Sequence, residues 1–69
     1  MASFKVLYSN GSVAKNTKVT ISVDSGGMNS GITDSRGHVN IPTSNSYGKI
    51  IVQGKTVYHG SLGLREVYI

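Results

Sequence analysis

Apolar and polar residues alternate one for one along most of this chain, and Gly, Asn and Asp interrupt the alternation at short intervals. A period of two sends successive side chains to opposite faces of a strand. No stretch carries apolar residues at helical spacing over three turns. Strands this short, folded back at frequent turns, admit a sandwich or a small barrel and little else.

Thr17-Lys18-Val19-Thr20-Ile21-Ser22-Val23 shows the pattern most clearly: Val19, Ile21 and Val23 point one way, Lys18, Thr20 and Ser22 the other. Phe4 to Tyr8 reads as an opening strand, with Phe4, Val6 and Tyr8 on one face. Met28 to Thr33 is a weaker strand, and Gly31 within it implies a bulge or a close backbone approach. His38 to Ile41 follows, with Val39 and Ile41 inward and Pro42 closing it. Lys49 to Gln53 is a strand with adjacent apolar residues, expected to be the more buried. Thr56 to His59 is the next, and Leu64 to Ile69 the closing one, with Arg65, Val67 and Ile69 on one face.

The turns have their own chemistry. Asn10-Gly11 tolerates the positive φ of a tight hairpin. Asp34-Ser35-Arg36-Gly37 has Asp first and Gly last, as a type I turn favours. Gly26-Gly27, a polar loop from Thr43 to Tyr47, Gly54-Lys55 and Gly60-Ser61 supply the remaining connections. The expected fold is all-β: a small antiparallel Greek-key β-sandwich of about seven short strands, with residues 1–69 as one domain.

Size limits what such a domain can do. A chain of 69 residues hides only roughly 60% of its unfolded surface, so the core is thin. There is no Cys to staple it, and neither His38 nor His59 has a close ligand pair beside it, so no metal or other cofactor is expected. Stability must come from apolar packing, from well-formed turns or from association. No apolar run approaches membrane-spanning length, so no membrane span is expected. The N-terminus lacks the charged and long apolar segments of a signal peptide, which makes the cytosol the default compartment; an excised domain or another export route stays open.

At this point the residues resemble those of the carboxypeptidase regulatory-domain-like, transthyretin-like β-sandwich modules, themselves Ig-like in architecture. Those modules place G-x-P-L-x-G-A-x-V after a first strand, then a hairpin, then T-D-x-x-G-x-F, then G-x-Y before a strand. Here Gly11-Ser12-Val13-Ala14-Lys15-Asn16-Thr17-Lys18-Val19 has the length of the first element and ends on an inward Val19. Thr33-Asp34-Ser35-Arg36-Gly37-His38-Val39 fits the second, with Val39 plugging the core after a hairpin turn, and Gly48-Lys49-Ile50 fits the third loosely. Val13 stands where those modules carry Pro, Asn16 where they carry Gly, Thr17 where they carry Ala, and Val39 and Ile50 where they carry aromatics. The resemblance covers roughly residues 4 to 54. It implies a non-catalytic accessory, adhesive or assembly module that usually sits beside another domain, and fold-level analogy does not establish function.

The residues themselves point away from catalysis. Ser residues, two His and Asp24, Asp34 and Glu66 make a triad only on paper, because no G-x-S-x-G elbow is present. Asp24 and Asp34 lack the alternating carboxylates of a Ca²⁺ loop and read as turn formers. Asn10-Gly11-Ser12 is formally a glycosylation sequon that secretion alone would activate. The net charge is +4, carried by Lys5, Lys15, Lys18, Arg36, Lys49, Lys55 and Arg65, scattered singly. Scattered Lys keeps strand edges soluble.

Two functions remain. An open sandwich exposes rows of unpaired backbone groups, and the apolar closing strand could add to another sheet. Leu64, Val67, Tyr68 and Ile69, with Tyr58, are the candidate interaction residues, and the partner would be another protein or a second copy of the chain. The alternative is a small basic barrel binding single-stranded nucleic acid, with Tyr8, Tyr58 and Tyr68 interleaved with basic residues. A one-faced stripe through Lys5, Lys18 and Lys55 would favour that second reading.

Overall fold

The computed structural model describes residues 2–24, 26–43 and 47–69. Seven strands follow one another: β1 (Ala2–Leu7), β2 (Lys18–Val23), β3 (Met28–Ile32), β4 (His38–Ile41), β5 (Tyr47–Val52), β6 (Lys55–Ser61) and β7 (Glu66–Tyr68). They form a three-stranded sheet ordered β4-β1-β7 and a four-stranded sheet ordered β3-β2-β5-β6. All pairings are antiparallel except β1 with β7, which is parallel. After β3 and β4 the chain returns to set β5 beside β2, which is the Greek-key crossing.

The inward set of each strand meets between the sheets. Phe4, Val6, Val39, Ile41 and Val67 face Val19, Ile21, Ile50 and Val52, and Ala14 and Leu62 close the sides. Gly48 lets β5 lie tightly on β2, because a Cβ there would stand 2.6 Å from the Ser22 carbonyl oxygen. Gly31 is likewise a close approach: its missing Cβ leaves room for Val39 and Ile41 of β4. The bulge lies elsewhere, in β6, where the register with β5 slips between Ile50 and Ile51.

Several expectations need correction. The Asp34–Gly37 turn joins β3 to β4, but these belong to different sheets, so it is a corner between layers and not a hairpin. The Asn10-Gly11 turn does fold the chain tightly back on β1, with Tyr8 N–H to the Ser12 carbonyl at 2.7 Å and an isolated antiparallel bridge between Leu7 and Val13, before the chain crosses to β2 in the other sheet. Tyr8 leaves the strand and is exposed, and Leu7 takes the buried place beside Val6. Gln53-Gly54, not Gly54-Lys55, occupies the tip of the β5–β6 hairpin; φ is 55° and 77°, positive at both central residues as in a type I′ turn. Gly60 and Ser61 continue β6, and Tyr47 begins β5. Residues 44–46 of the expected polar loop lie outside the described residues. The closing strand is shorter than expected, with Leu64 and Arg65 before it and Ile69 after it.

Candidate functional site

Thr33 and Asp34 build the corner that positions β3. Thr33 is buried, and its hydroxyl accepts the Thr17 N–H at 2.8 Å while donating to the Ala14 carbonyl at 2.6 Å. One side chain thus satisfies two backbone groups of the preceding crossover, which buried polar groups require. Asp34 accepts the N–H of Arg36 at 2.8 Å and of His38 at 3.0 Å on one carboxylate oxygen. Those two N–H groups, Arg36 first, hold its carboxyl below the ordinary value of 3.8. The turn closes with Gly37 N–H to the Asp34 carbonyl at 3.0 Å. Gly37 has φ 78° and no room for a Cβ, which would lie 2.9 Å from the Val6 carbonyl oxygen. The first turn is built similarly: Asn10 Oδ1 accepts the Ser12 N–H at 3.0 Å, with Gly11 at φ 92°.

The residues expected to meet a partner are mostly committed inward. Val67 is buried, and Leu64, Ile69 and Tyr58 pack against the core. The Tyr58 hydroxyl donates to the Ser61 carbonyl at 2.8 Å. Only Tyr68 is well exposed, at 57%. A closing strand of three residues placed in parallel beside β1 has spent its apolar side chains on the core.

Exposed apolar surface lies instead on the outer face of the four-stranded sheet. Met28 and Ile32 of β3 are 64% and 67% exposed, and Tyr47 of β5 is 59% exposed. Register places Met28 opposite Ser22 and Ile32 opposite Lys18, while Ile51 stands opposite Thr20; Tyr47 shares the outward parity of Lys49 and Ile51 in β5 and lies opposite Ser61 of β6. A shallow depression of about 270 Å³ opens there, lined by Lys18, Thr20, Met28, Ile51, Gln53 and Gly54. The signal was present in the chain. In 28–32 the inward positions hold Asn29 and Gly31, and the large apolar residues hold the outward ones, the reverse of β2.

Lys5, Lys18 and Lys55 do not share a face. Lys5 belongs to the three-stranded sheet beside His38 and Glu66, and Lys18 to the outer face of the four-stranded sheet. Lys55 stands at the open end of the sandwich, where it lines a cavity of about 200 Å³ with Tyr8, Val52, Val57 and Ile69. Tyr8, Tyr58 and Tyr68 are similarly dispersed: at that open end, packed on the core, and on the edge strand β7. His38 is exposed, and His59 lies 3.8 Å from Asp24 on the surface. Among the described residues no three His, Cys, Asp or Glu side chains come together as a metal site. Among the described residues no helix is long and apolar enough to cross a membrane.

Comparison with known protein families, with curated proteins and with solved structures finds no match for this chain.

Proposed function

We propose that this chain is a non-catalytic β-sandwich interaction module that binds a protein partner through the outer face and free β3 edge of its four-stranded sheet. The observation that carries the reading is Met28, Ile32 and Tyr47, three large apolar side chains exposed together on one sheet face. Isolated exposed apolar residues are ordinary, whereas several on one face beside an unpaired strand favour contact with another chain. The spacing of Thr33-Asp34 and Gly37 supports kinship with transthyretin-like assembly modules, whose role is also non-catalytic.

The test compares proteins retained by the wild-type chain with those retained by a Met28→Ser/Ile32→Ser/Tyr47→Ser variant. Light scattering after size exclusion reports the oligomeric state of both. The expected result is a partner or self-association that weakens at least about tenfold in the face variant and survives Lys5→Ser on the other sheet. Retention and oligomeric state indifferent to the triple substitution would remove the proposal.

A further inference from the structure

We infer that the β3 edge is a self-recognition strand, pairing antiparallel with β3 of a second copy about a two-fold axis at Ser30. This deepens the reading just proposed by naming the partner as the chain itself.

The β2–β3 ladder is bounded by Val23 N–H to the Gly27 carbonyl at 2.8 Å and by Thr33 N–H to the Thr17 carbonyl at 2.9 Å. Hydrogen-bonded pairs alternate with non-bonded ones along an antiparallel ladder. Thr17/Thr33, Val19/Gly31, Ile21/Asn29 and Val23/Gly27 are therefore the bonded pairs. Lys18/Ile32, Thr20/Ser30 and Ser22/Met28 are the non-bonded ones. It follows that Met28, Ser30 and Ile32 turn their N–H and C=O groups away from β2. Among the described residues no strand pairs with them on that side, since β3 is the edge of its sheet.

A second β3 centred on Ser30 satisfies all of these groups at once. Ser30 exchanges two hydrogen bonds with Ser30 of the second copy, and Met28 and Ile32 exchange two with each other at either end. The same register sets Met28 against Ile32 on the outer face, twice, covering the two most exposed large apolar side chains among the described residues. A foreign strand has no need of this palindrome. Another copy of the chain makes use of every part of it.

Electrostatics permit the join. Met28-Asn29-Ser30-Gly31-Ile32 contains no charge and no Pro, the devices that normally blunt an edge. In the joined sheet Lys18 is separated from Lys49 of the second copy by Ile32, then Met28 and Ser22 of that copy. At the usual strand spacing that is about 19 Å, beyond the roughly 8–10 Å over which salt leaves charges interacting. A five-residue pairing buries less than the roughly 1,000 Å² of a lasting interface, so the association is reversible and concentration-dependent.

The chain has no Cys, so single-Cys variants report the register directly. In Ser30→Cys the two Cα atoms meet at about 5.5 Å, within the range a disulfide spans. Mild oxidation of concentrated Ser30→Cys should give a covalent dimer at least about tenfold faster than Ser61→Cys, placed on the opposite edge of the same sheet. Ser30→Pro, which removes only an N–H turned away from β2, should keep the strand signature in circular dichroism and weaken self-association about tenfold. Equal cross-linking at Ser30 and Ser61, or folded Ser30→Pro that associates as wild type does, would overturn the inference. Should that happen while the Met28/Ile32/Tyr47 variant still loses its partner, the self-pairing falls and the interaction surface stands.

Discussion

Thr33 shows how much one side chain can hold in a domain with so little interior. Its hydroxyl is both acceptor for Thr17 N–H and donor to the Ala14 carbonyl. Thr33→Val keeps the shape and removes both bonds, leaving a buried donor and a buried acceptor unpaired. Each such group costs about 1–3 kcal/mol, so the variant should lose ~2–4 kcal/mol in urea unfolding. A loss under about 0.5 kcal/mol would mean that water reaches both groups. Asp34, one residue on, acts at the surface and through pH. Its carboxyl is held below 3.8 by the Arg36 and His38 N–H groups, so the unfolded chain binds the proton more readily. The stability it contributes is present above 3.8 and is lost as pH falls through the lower folded value. Asp34→Asn should flatten that acid limb of the unfolding midpoint, and an acid limb identical to wild type would contradict the assignment.

At the scale of strands and turns, the hairpin between β5 and β6 is the place where residue choice and backbone disagree. Gln53 has φ 55°, a region that residues with a full side chain enter at a cost, ahead of Gly54 at φ 77°. Asn enters it more readily, and Asn-Gly is the favoured pair in a type I′ turn. Gln53→Asn should therefore raise the thermal midpoint, by a stabilisation of about 0.5 kcal/mol; a lowered midpoint would show that the Gln side chain is held by something else. That turn also marks the limit of what the chain announces. All seven strands were legible, because β2 and β4 must hide Val19 and Val39 between layers and alternation is how they do it, while β5 announces itself by its short apolar run. Which neighbours they would pair with was not legible. Asp34–Gly37 has the residues of a hairpin turn yet makes a corner, because local turn chemistry sets the bend and the packing of Gly31 on Val39 and Ile41 sets the layer. The burial of the terminal residues was not legible for a related reason. Leu64, Val67 and Ile69 look like a sticky terminal strand in isolation, and only the closing of β7 on β1 shows that their apolar groups are already used.

Across the whole molecule, the thin core makes the inward and outward sets of one strand unequal to a degree that adjacent residues can expose. A chain of 69 residues has roughly 3–10 kcal/mol of total stability to lose. Ile50 is fully buried between the sheets, and Ile51, its neighbour in β5, points to the outer face beside Thr20. Ile50→Ala removes buried methyl groups and leaves a cavity, at a cost of about 2–5 kcal/mol, a large share of the total. The thermal midpoint should fall by at least about 10 °C, since each kcal/mol moves a domain of this size by roughly 4–8 °C. Ile51→Ala empties a half-covered surface position that water can refill, and should cost under about 1 kcal/mol. The two substitutions share chemistry, strand and sequence context, so their difference measures burial alone. Equal losses would mean that the outer face of the four-stranded sheet is covered in solution. Repeating the melts at several protein concentrations would then show whether a second copy is the cover, because a self-paired chain melts higher as concentration rises.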